Sequence, residues 1–279
     1  MTYEYPGAGA LDYQPCRYGR SKLVFRGPSV RLDVPYDVAL GGTETYGKFI
    51  AQPFAAQVGA KTGRVMLNLG GLSTGPDCWL HDPILPEVAV RARVKVVQVT
   101  GAHNMTNPLY SVHWRRNDRF LAPTPALRRL YPEVDFTDFA FTGHLLAVLR
   151  LRGRGRFEEL AGVLRRNWIA RMGELLARLG GPCVLLWMAR QPPLPPGRTP
   201  PGLDDPVLVD AGMLAALRPR VAAVVEAVAP PPADPAEGMV FAPLERAAAE
   251  GLPGPCAHRA AAMALSPVVA GLGGEGDVC

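Results

Sequence analysis

The stretch Tyr36-Asp-Val-Ala-Leu-Gly-Gly42 decides the fold class. It is a short apolar run that ends in two glycines, and such a run predicts a buried strand followed by a tight turn. The pattern recurs in Arg64-Val-Met-Leu-Asn-Leu-Gly70 and in Val94-Lys-Val-Val-Gln-Val-Thr-Gly101, and two later apolar runs cover 182–189 and 221–228. These five runs predict five strands.

Helical spacing of apolar side chains separates these runs. The spacing predicts helices over 46–58, 84–92, 138–151 and 156–179, and a final helix over 259–265. Nearly continuous apolar strands that alternate with helices are typical of a parallel sheet covered on both faces. The sequence therefore predicts an α/β fold with three layers, α/β/α, around a mainly parallel sheet of about five strands.

The positions of glycine and proline indicate the domain organisation. The chain has 279 residues with 30 Gly and 29 Pro, well above the average combined share of roughly 12%. Proline concentrates in 191–206 and 230–235, which we interpret as extended connections, and the strands continue across both. We therefore predict an irregular N-terminal extension over 1–35 that packs on the main domain, a single domain over 36–270, and a flexible C-terminal tail over 271–279.

Composition excludes several classes of protein. Hydrophobic residues make up 48% of the chain and charged residues 20%, which excludes wholesale disorder. The chain has no run of ~18 apolar residues, so we expect no membrane span, and its N-terminus lacks the pattern of a secretory signal. Five scattered Cys without a C-x-x-C pair predict reduced thiols and a cytoplasmic location.

Charge and spacing also limit the partners that we expect. The net charge of +5 is modest and no nucleic-acid-binding motif is present, so we expect no nucleic acid partner. Residues 78–82 and 103–113 bring Cys, His and Asp together without a strong zinc spacing, and no turn matches a nucleotide-binding loop. We therefore expect no metal and no cofactor, and the sequence leaves the oligomeric state open.

Small polar turns that contain glycine follow the first three predicted strands, over 41–47, 68–75 and 101–107. In open parallel sheets, ligands bind beyond the carboxyl ends of the strands, so these turns form the candidate site. One further candidate, His258, comes late in the chain, where the final helix is predicted to begin.

At these positions the sequence resembles the SGNH (GDSL-like) hydrolase superfamily. The resemblance spans 36–270 and implies an SGNH or flavodoxin-like sheet with carboxyl-ester hydrolase or acyltransferase activity. In chain order, Thr43 falls in the position of the nucleophilic Ser, Gly70 in that of the oxyanion-hole Gly, Asn104 near that of the Asn, and His258 in that of the base.

The sequence departs from the family pattern at four points. Thr43 replaces Ser, and Gly42 stands where the family has the preceding Asp. His103 occupies the strict Asn position, so the use of Asn104 requires a shift of one residue. Pro255 stands where the family has the Asp that orients the His. These departures favour, as an alternative, a non-catalytic protein of the same fold.

The resemblance implies a mechanism in which Thr43 attacks an ester carbonyl while His258 removes its proton. The Gly70 N–H and the Asn104 amide would stabilise the oxyanion. Each residue also has a structural alternative: Thr43 as a helix cap, Gly70 as a tight turn, Asn104 as an Asx turn, and His258 as an exposed histidine in a first helical turn.

The whole chain is also similar to a group of uncharacterised alphaproteobacterial proteins, a domain family of unknown function. The shared segments are the opening Met-Thr-Tyr-Glu-Tyr-Pro-Gly, the turn over 41–47, Gly-Gly-Thr-Glu-Thr-Tyr-Gly, and the segment Arg-Arg-Asn-Asp-Arg-Phe over 115–120. This second resemblance implies no particular activity.

The connection over 101–136 is long, and long connections are commonly functional or disordered. It carries Arg115, Arg116 and Arg119 among aromatic residues. Arginine forks bind carboxylate, phosphate or sulfate, and aromatic rings pack on sugar or acyl faces. We therefore predict a small-molecule substrate that is either anionic or glycan-like.

Further substrate contacts are predicted in the same turns, from Gly42, Glu44, His103 and Asn107. Two alternatives stay open. In the first, which is structural, the arginine-bearing segment is a solvated surface loop paired with Asp118 and Glu133. In the second, which is functional, the protein is a transferase in polysaccharide metabolism.

Overall fold

A parallel sheet forms the centre of the computed structural model, which describes residues 10–199, 202–203 and 205–273. The strands of these residues are β1 (Tyr36–Gly41), β2 (Val65–Gly70), β3 (Lys95–Gln98), β4 (Tyr110–Val112), β5 (Phe120–Pro123), β6 (Cys183–Ala189) and β7 (Ala223–Val228). Five of them pair in the parallel order β2-β1-β3-β6-β7, and β4 and β5 form a separate antiparallel pair. This order is that of a flavodoxin-like, doubly wound sheet.

The helices of the described residues lie between the strands and after them. They are α1 (Thr43–Tyr46), α2 (Phe54–Thr62), α3 (Pro76–His81), α4 (Ile84–Glu87), α5 (Pro125–Leu130), α6 (Thr142–Leu151), α7 (Arg154–Leu179), α8 (Ala211–Leu217), α9 (Arg246–Glu250) and α10 (Pro255–Leu272). Among these residues, no helix combines the length and the apolar character needed to cross a bilayer.

Alternate residues of the central strands point to opposite faces of the sheet. On one face, Val97 of β3 and Leu185 of β6 are buried in a core shared with Trp168 of α7. On the other face, Val96 and Val184 are buried in a second core, shared with α2 and α10. The predicted three-layer α/β/α fold with a parallel sheet of five strands is therefore confirmed.

The predicted helix over 46–58 is wrong, because the chain forms two helices there. Gly47 adopts the left-handed conformation, with φ of 71°, and ends α1. Pro53 takes an extended conformation before α2, and proline cannot continue a preceding helix. The break leaves α1 as a single turn directly after β1.

Other predicted bounds also need correction. The helix predicted over 84–92 is α4 followed by a 3-10 turn over Ala89–Arg91. The final helix is longer than the predicted 259–265. It begins at Pro255, within the segment 255–258 that was predicted to open it, since proline suits the first turn of a helix, and it continues to Leu272. Within the connection over 101–136, the chain forms β4, β5 and α5.

The ends of the described chain bear on the predicted domain organisation. Residues 10–35 contain one isolated antiparallel bridge, between Cys16 and Phe25, and Tyr18 and Phe25 are buried in the core on the α7 side. At the other end, α10 continues to Leu272, past the predicted boundary at 270. Residues 1–9 and 274–279 lie outside the described residues, and the division into an extension, one domain and a tail stays a prediction.

Candidate functional site

The carboxyl edge of the sheet has its switch point between β1 and β3. From β1 the chain crosses to β2 on one side, and β3 lies on the other side of β1. The connections that leave two such strands diverge, and the crevice between them is the usual ligand site of open α/β sheets. In this sheet the corresponding position is between the turn after β1 and the end of β3, and we call it the crevice.

Gln98, the last residue of β3, organises this crevice. Its Oε1 accepts hydrogen bonds from the Gly42 N–H at 3.0 Å, from the Thr45 hydroxyl at 2.6 Å and from the Thr45 N–H at 3.3 Å. Its Nε2 donates to Glu44 Oε2 at 3.0 Å. This buried amide therefore fixes the turn after β1 and the direction of the Glu44 side chain.

Glu44 is half-buried and lies close to a second carboxylate. Burial, with the nearby Asp205 carboxylate as a second cause, raises the pKa of Glu44. Two carboxylates in one poorly hydrated place favour the protonated form of one of them. Glu44 is therefore easier to protonate than an ordinary glutamate.

Thr43 does not cap α1 through its side chain. Gly42 is the N-cap residue, and no side chain caps this helix. The Thr43 hydroxyl oxygen instead accepts the Ser73 N–H at 3.0 Å, across to the turn after β2. Ser73 has a φ of 56°, a left-handed conformation that a residue with a side chain adopts only at a cost in energy. The predicted cap is thus wrong, and Thr43 is held at the crevice by a strained turn.

Gly70 is needed for space, and its N–H is occupied. A Cβ at this position would lie 2.3 Å from the Tyr46 nitrogen, so only glycine lets α1 pack this close to β2. The Gly70 N–H donates to Asn68 Oδ1 at 2.9 Å. This bond contradicts the prediction that Gly70 offers its N–H to an oxyanion.

Asn104 is held by a distant side chain. Its Oδ1 accepts the Thr142 hydroxyl at 2.6 Å, where the predicted alternative was a local Asx turn. With the carbonyl end of the amide fixed on Thr142, the Nδ2 end is the one that can donate to a ligand. Its role as a donor at the site stays a prediction.

His103 and Asn107 are both buried, and their predicted contacts with a substrate stay predictions. His103 is buried, and burial lowers its pKa to about 4, so its ring is neutral. The Asn107 side chain closes a turn, since its Oδ1 accepts the Leu109 and Tyr110 N–H groups and its Nδ2 donates to the Met105 carbonyl. Asn107 therefore stabilises the connection after β3 through its own side chain.

His258 is buried in the core shared by α2 and α10. Its Nδ1 accepts the Phe54 N–H at 3.1 Å, and its ring stacks on the Phe54 ring. Burial, with Arg26 as a second cause, lowers the pKa of His258 to about 3. In a neutral ring with Nδ1 as acceptor, Nε2 carries the hydrogen, so no lone pair is left to take a proton from Thr43. The predicted base, and the alternative of an exposed histidine, are both wrong.

The arginine loop, which we define as residues 113–119, is fastened to the turn after β2 by Asn117. This fully buried side chain accepts the Gly75 N–H at 2.7 Å through Oδ1, and its Nδ2 donates to the carbonyls of His113 and Trp114. The Asn117 N–H also donates to the Ser73 carbonyl at 2.9 Å. The loop therefore has a fixed position beside the turn that holds Thr43.

The arginines of this loop are exposed and lie against aromatic rings. The Arg115 Cζ is 4.6 Å from the centre of the Trp114 ring, and the Arg119 Cζ is 4.4 Å from that of Phe141. Both aromatic residues are exposed, at 39% for Trp114 and 41% for Phe141. The surface therefore offers cationic forks and apolar faces side by side.

The predicted ion pairs of this loop are found only in part. Arg116 pairs with Asp118 at 3.3 Å, as the alternative of a solvated loop predicts. Glu133 instead pairs with Arg156, at 2.7 Å. Of the two predicted acidic partners, Asp118 thus pairs with an arginine of the loop within the described residues, and Glu133 does not. Arg115 and Arg119 contact the aromatic rings described above.

Gln98, Asn117 and Asp205 are site residues that the sequence analysis does not predict, and Ser73 lies in the predicted turn over 68–75 without a predicted role. A polar residue at the end of an otherwise apolar strand is a recognisable pattern, and it would have indicated Gln98. Asp205 lies in a proline-rich connection, and only tertiary structure brings it near Glu44. Across the described ranges, no group of three or more His, Cys, Asp or Glu side chains could hold a metal ion.

Comparison with known protein families assigns the chain to one of them. Residues 1–273 match the family described as a domain of unknown function, DUF6473. The chain belongs to the DUF6473 family. A search of curated proteins gave no match for this DUF6473 chain.

A solved structure similar to the DUF6473 chain is a carbohydrate esterase family 2 enzyme with a carbohydrate-binding domain, from Corynascus thermopiles (Myceliophthora fergusii). The match has a TM-score of 0.44 and 11% identity, and covers 89% of the DUF6473 chain and 72% of that chain. A match at this distance assigns neither an activity nor a residue role to the DUF6473 chain.

Proposed function

We propose that the protein binds a glycan-like ligand with an acidic group at the carboxyl edge of β1, β2 and β3. One observation carries the proposal: Asn117 joins the arginine loop to the strand-end turns. Its N–H and Oδ1 bind Ser73 and Gly75, and the Ser73 N–H in turn binds Thr43. This chain of bonds sets exposed guanidinium groups and a crevice of polar side chains side by side.

The two ends of this site suit the two parts of such a ligand. At the crevice, the hydroxyl of Thr43 and the carboxylate of Glu44 can exchange hydrogen bonds with sugar hydroxyls. At the loop, Arg115 and Arg119 can bind a carboxylate through paired hydrogen bonds. The exposed side chains of Trp114 and Phe141 supply apolar surface for sugar rings.

The binding function is favoured over ester hydrolysis because two parts of the expected machinery serve other purposes. The imidazole of His258 is bonded to Phe54 within the core. The Gly70 N–H is bonded to Asn68. Without a base and without that oxyanion donor, the implied mechanism loses two of its four groups.

The experiment compares two oligosaccharides that differ in charge. We expect a hexamer of α-1,4-galacturonic acid to bind more tightly than maltohexaose, as measured by isothermal titration calorimetry. Replacing Arg115 and Arg119 together by Gln should lower the affinity for the acidic hexamer about tenfold or more, with little effect on the affinity for maltohexaose. Added salt should weaken the acidic hexamer selectively.

A matched control is Arg152→Gln, because Arg152 is an exposed arginine in the connection from α6 to α7. This variant should bind both hexamers as the wild type does. The proposal fails if neither hexamer binds, or if the Arg115 and Arg119 double variant binds the acidic hexamer as tightly as the wild type.

Ester hydrolysis or acyl transfer is a second candidate, and one observation favours it. Because the Thr43 oxygen accepts the Ser73 N–H, its own hydrogen is directed elsewhere and can be removed by a base. Glu44, whose pKa is raised, would replace His258 as that base. Turnover of short-chain aryl esters should then be lost in Thr43→Ala and kept in His258→Asn. Equal turnover by wild type and Thr43→Ala removes Thr43 as nucleophile.

A further inference from the structure

A cavity of about 470 Å³ lies at the other half of the carboxyl edge. It opens beyond the ends of β6 and β7, where Ala189, Arg190 and Ala229 line it, and it reaches the start of α10. The site proposed above lies instead beyond β1, β2 and β3. The volume is within the range of roughly 300–1,000 Å³ that small-molecule sites occupy.

Six prolines line this cavity, and four of them lie in the connection over 230–235 that the sequence predicts to be extended. The six are Pro230, Pro231, Pro232, Pro235, Pro253 and Pro255. Because each ring fixes φ, these walls have little backbone freedom to lose when a ligand binds. Their side chains add apolar surface to the lining. The cavity is thus preformed and suited to the apolar body of a ligand.

The polar lining gives the cavity a positive balance. Two arginines, Arg190 and Arg259, line it together with one carboxylate, that of Glu237. The Arg190 Nη2 donates to the Glu250 carbonyl at 2.9 Å, which holds that guanidinium at the wall. Arginine presents several donors in a planar fork, so it can bind an oxyanion while one nitrogen keeps its bond to the protein.

We propose that this cavity is a second ligand site, and that it binds a small organic anion with an apolar body. The anionic head would lie between Arg190 and Arg259, and the apolar body would lie against the prolines. This second site does not depend on the proposed glycan-binding function, so either proposal can fail without the other.

Cys256 provides a direct report on occupancy. It is exposed and lines the cavity. Trypsin would release it in the peptide 247–259, which contains no other cysteine. The rate at which iodoacetamide alkylates this peptide, measured by mass spectrometry, therefore reports whether a ligand covers the cavity.

The test uses the full chain with 1-anilinonaphthalene-8-sulfonate, an anion with an apolar body, and with N-phenyl-1-naphthylamine, its uncharged counterpart. We expect the anion to bind saturably and to slow the alkylation of Cys256. Replacing Arg190 and Arg259 together by Gln should lower the affinity for the anion about tenfold and that for the uncharged probe less than about twofold. Arg152→Gln should change neither. In the wild type, added salt should weaken the anion more than the uncharged probe.

Two results would overturn the proposal. One is alkylation of Cys256 at an unchanged rate when the anion is saturating. The other is equal affinity of the anion for the wild type and for the double variant. If the double variant fails to fold, the salt dependence and the protection of Cys256 in the wild type still decide.

Discussion

The Nδ1 atom of His258 accepts the backbone N–H of Phe54 at 3.1 Å, so the first turn of α10 is bonded to the first turn of α2. The two rings also stack, with their centres 6.1 Å apart. A buried N–H without a partner is costly, and the imidazole supplies that partner. His258 therefore stabilises the packing of α2 and α10, and its chemistry is that of a neutral acceptor.

The first prediction concerns the pH dependence of stability. The pKa of His258 is about 3 in the folded protein, against 6.5 for an ordinary histidine. Between these values the unfolded chain binds a proton that the folded chain does not, so stability falls as the pH falls through this window. His258→Asn keeps an acceptor for the Phe54 N–H and removes the titration.

Urea denaturation of both proteins between pH of about 7 and about 4.5 measures this effect. The wild type should lose stability relative to His258→Asn by about 1.4 kcal/mol per pH unit below pH ~6.5. Other titrating groups are common to both proteins and cancel in the difference. A difference that stays constant with pH would contradict a buried, neutral His258.

The strands were predictable because their pattern is local. Runs such as 64–70 combine apolar residues with a terminal glycine, and a parallel sheet buries such runs on both faces. The break between α1 and α2 was missed, since apolar spacing continues through it and the decisive features are the left-handed Gly47 and the extended Pro53. Periodicity thus finds elements more reliably than their ends.

The site could be predicted in position but only partly in chemistry. That the turns after β1, β2 and β3 meet follows from the fold class. The partner of His258 is 204 residues away, and that of Asn117 is 42 residues away. Tertiary packing decides whether a side-chain nitrogen, such as Nδ1 of His258, is already hydrogen-bonded within the protein. The pattern of residue types that resembles a hydrolase therefore does not show whether that nitrogen is available for catalysis.

The second prediction concerns the anchor of the arginine loop. Asn117→Ala removes three hydrogen bonds of a fully buried side chain. Because the partners are left unsatisfied, the loop should open more often, and trypsin should cleave after Arg115 or Arg116 about tenfold faster or more. Cleavage after Arg152, in the same sample, should keep its rate.

Asn117→Asp is the matched variant for this experiment, because it keeps the acceptor for the Gly75 N–H and loses the two donated bonds. Because the new carboxylate would face the His113 and Trp114 carbonyls without water, we expect cleavage after Arg115 to be at least as fast as in Asn117→Ala. If the Ala variant is cleaved in the loop no faster than the wild type, Asn117 does not hold the loop in place.

The third prediction compares two glycines. Gly70→Ala places a methyl 2.3 Å from the Tyr46 nitrogen, so α1 must move away from β2. We expect a loss of stability on the order of 3 kcal/mol. Gly143→Ala meets open space in α6 and should stabilise the protein by roughly 0.5–1 kcal/mol.

Thermal and urea denaturation of the two variants check this comparison. The signs of the two changes should be opposite, although the substitution is the same. A Gly70→Ala protein as stable as the wild type would show that α1 is not packed closely on β2, and the position assigned to Thr43 would then have to be revised.

The last prediction concerns the carboxylate of Glu44. Gln98 Nε2 donates to Glu44 Oε2 at 3.0 Å, so Gln98→Glu sets a second carboxyl oxygen where the donor was. Two carboxylates at this distance cannot both be ionised, and burial and Asp205 already raise the pKa of Glu44. The variant should therefore be less stable than the wild type near neutral pH and should recover on acidification. Its folded state binds a proton in a range of pH where the unfolded chain does not, so the deficit shrinks as the pH falls from about 7 toward about 4.5.

Gln98→Leu separates this electrostatic effect from the loss of hydrogen bonds. It removes the acceptor for Gly42 and Thr45 as well as the donor to Glu44, and it adds no titrating group. The stability of Gln98→Leu should therefore not recover on acidification as that of Gln98→Glu does. The stability of the Leu variant relative to the Glu variant should fall as the pH falls from neutral to acid. Urea denaturation of the three proteins across this range decides the matter. Parallel pH profiles for the Glu and Leu variants would mean that Glu44 does not face the amide of Gln98.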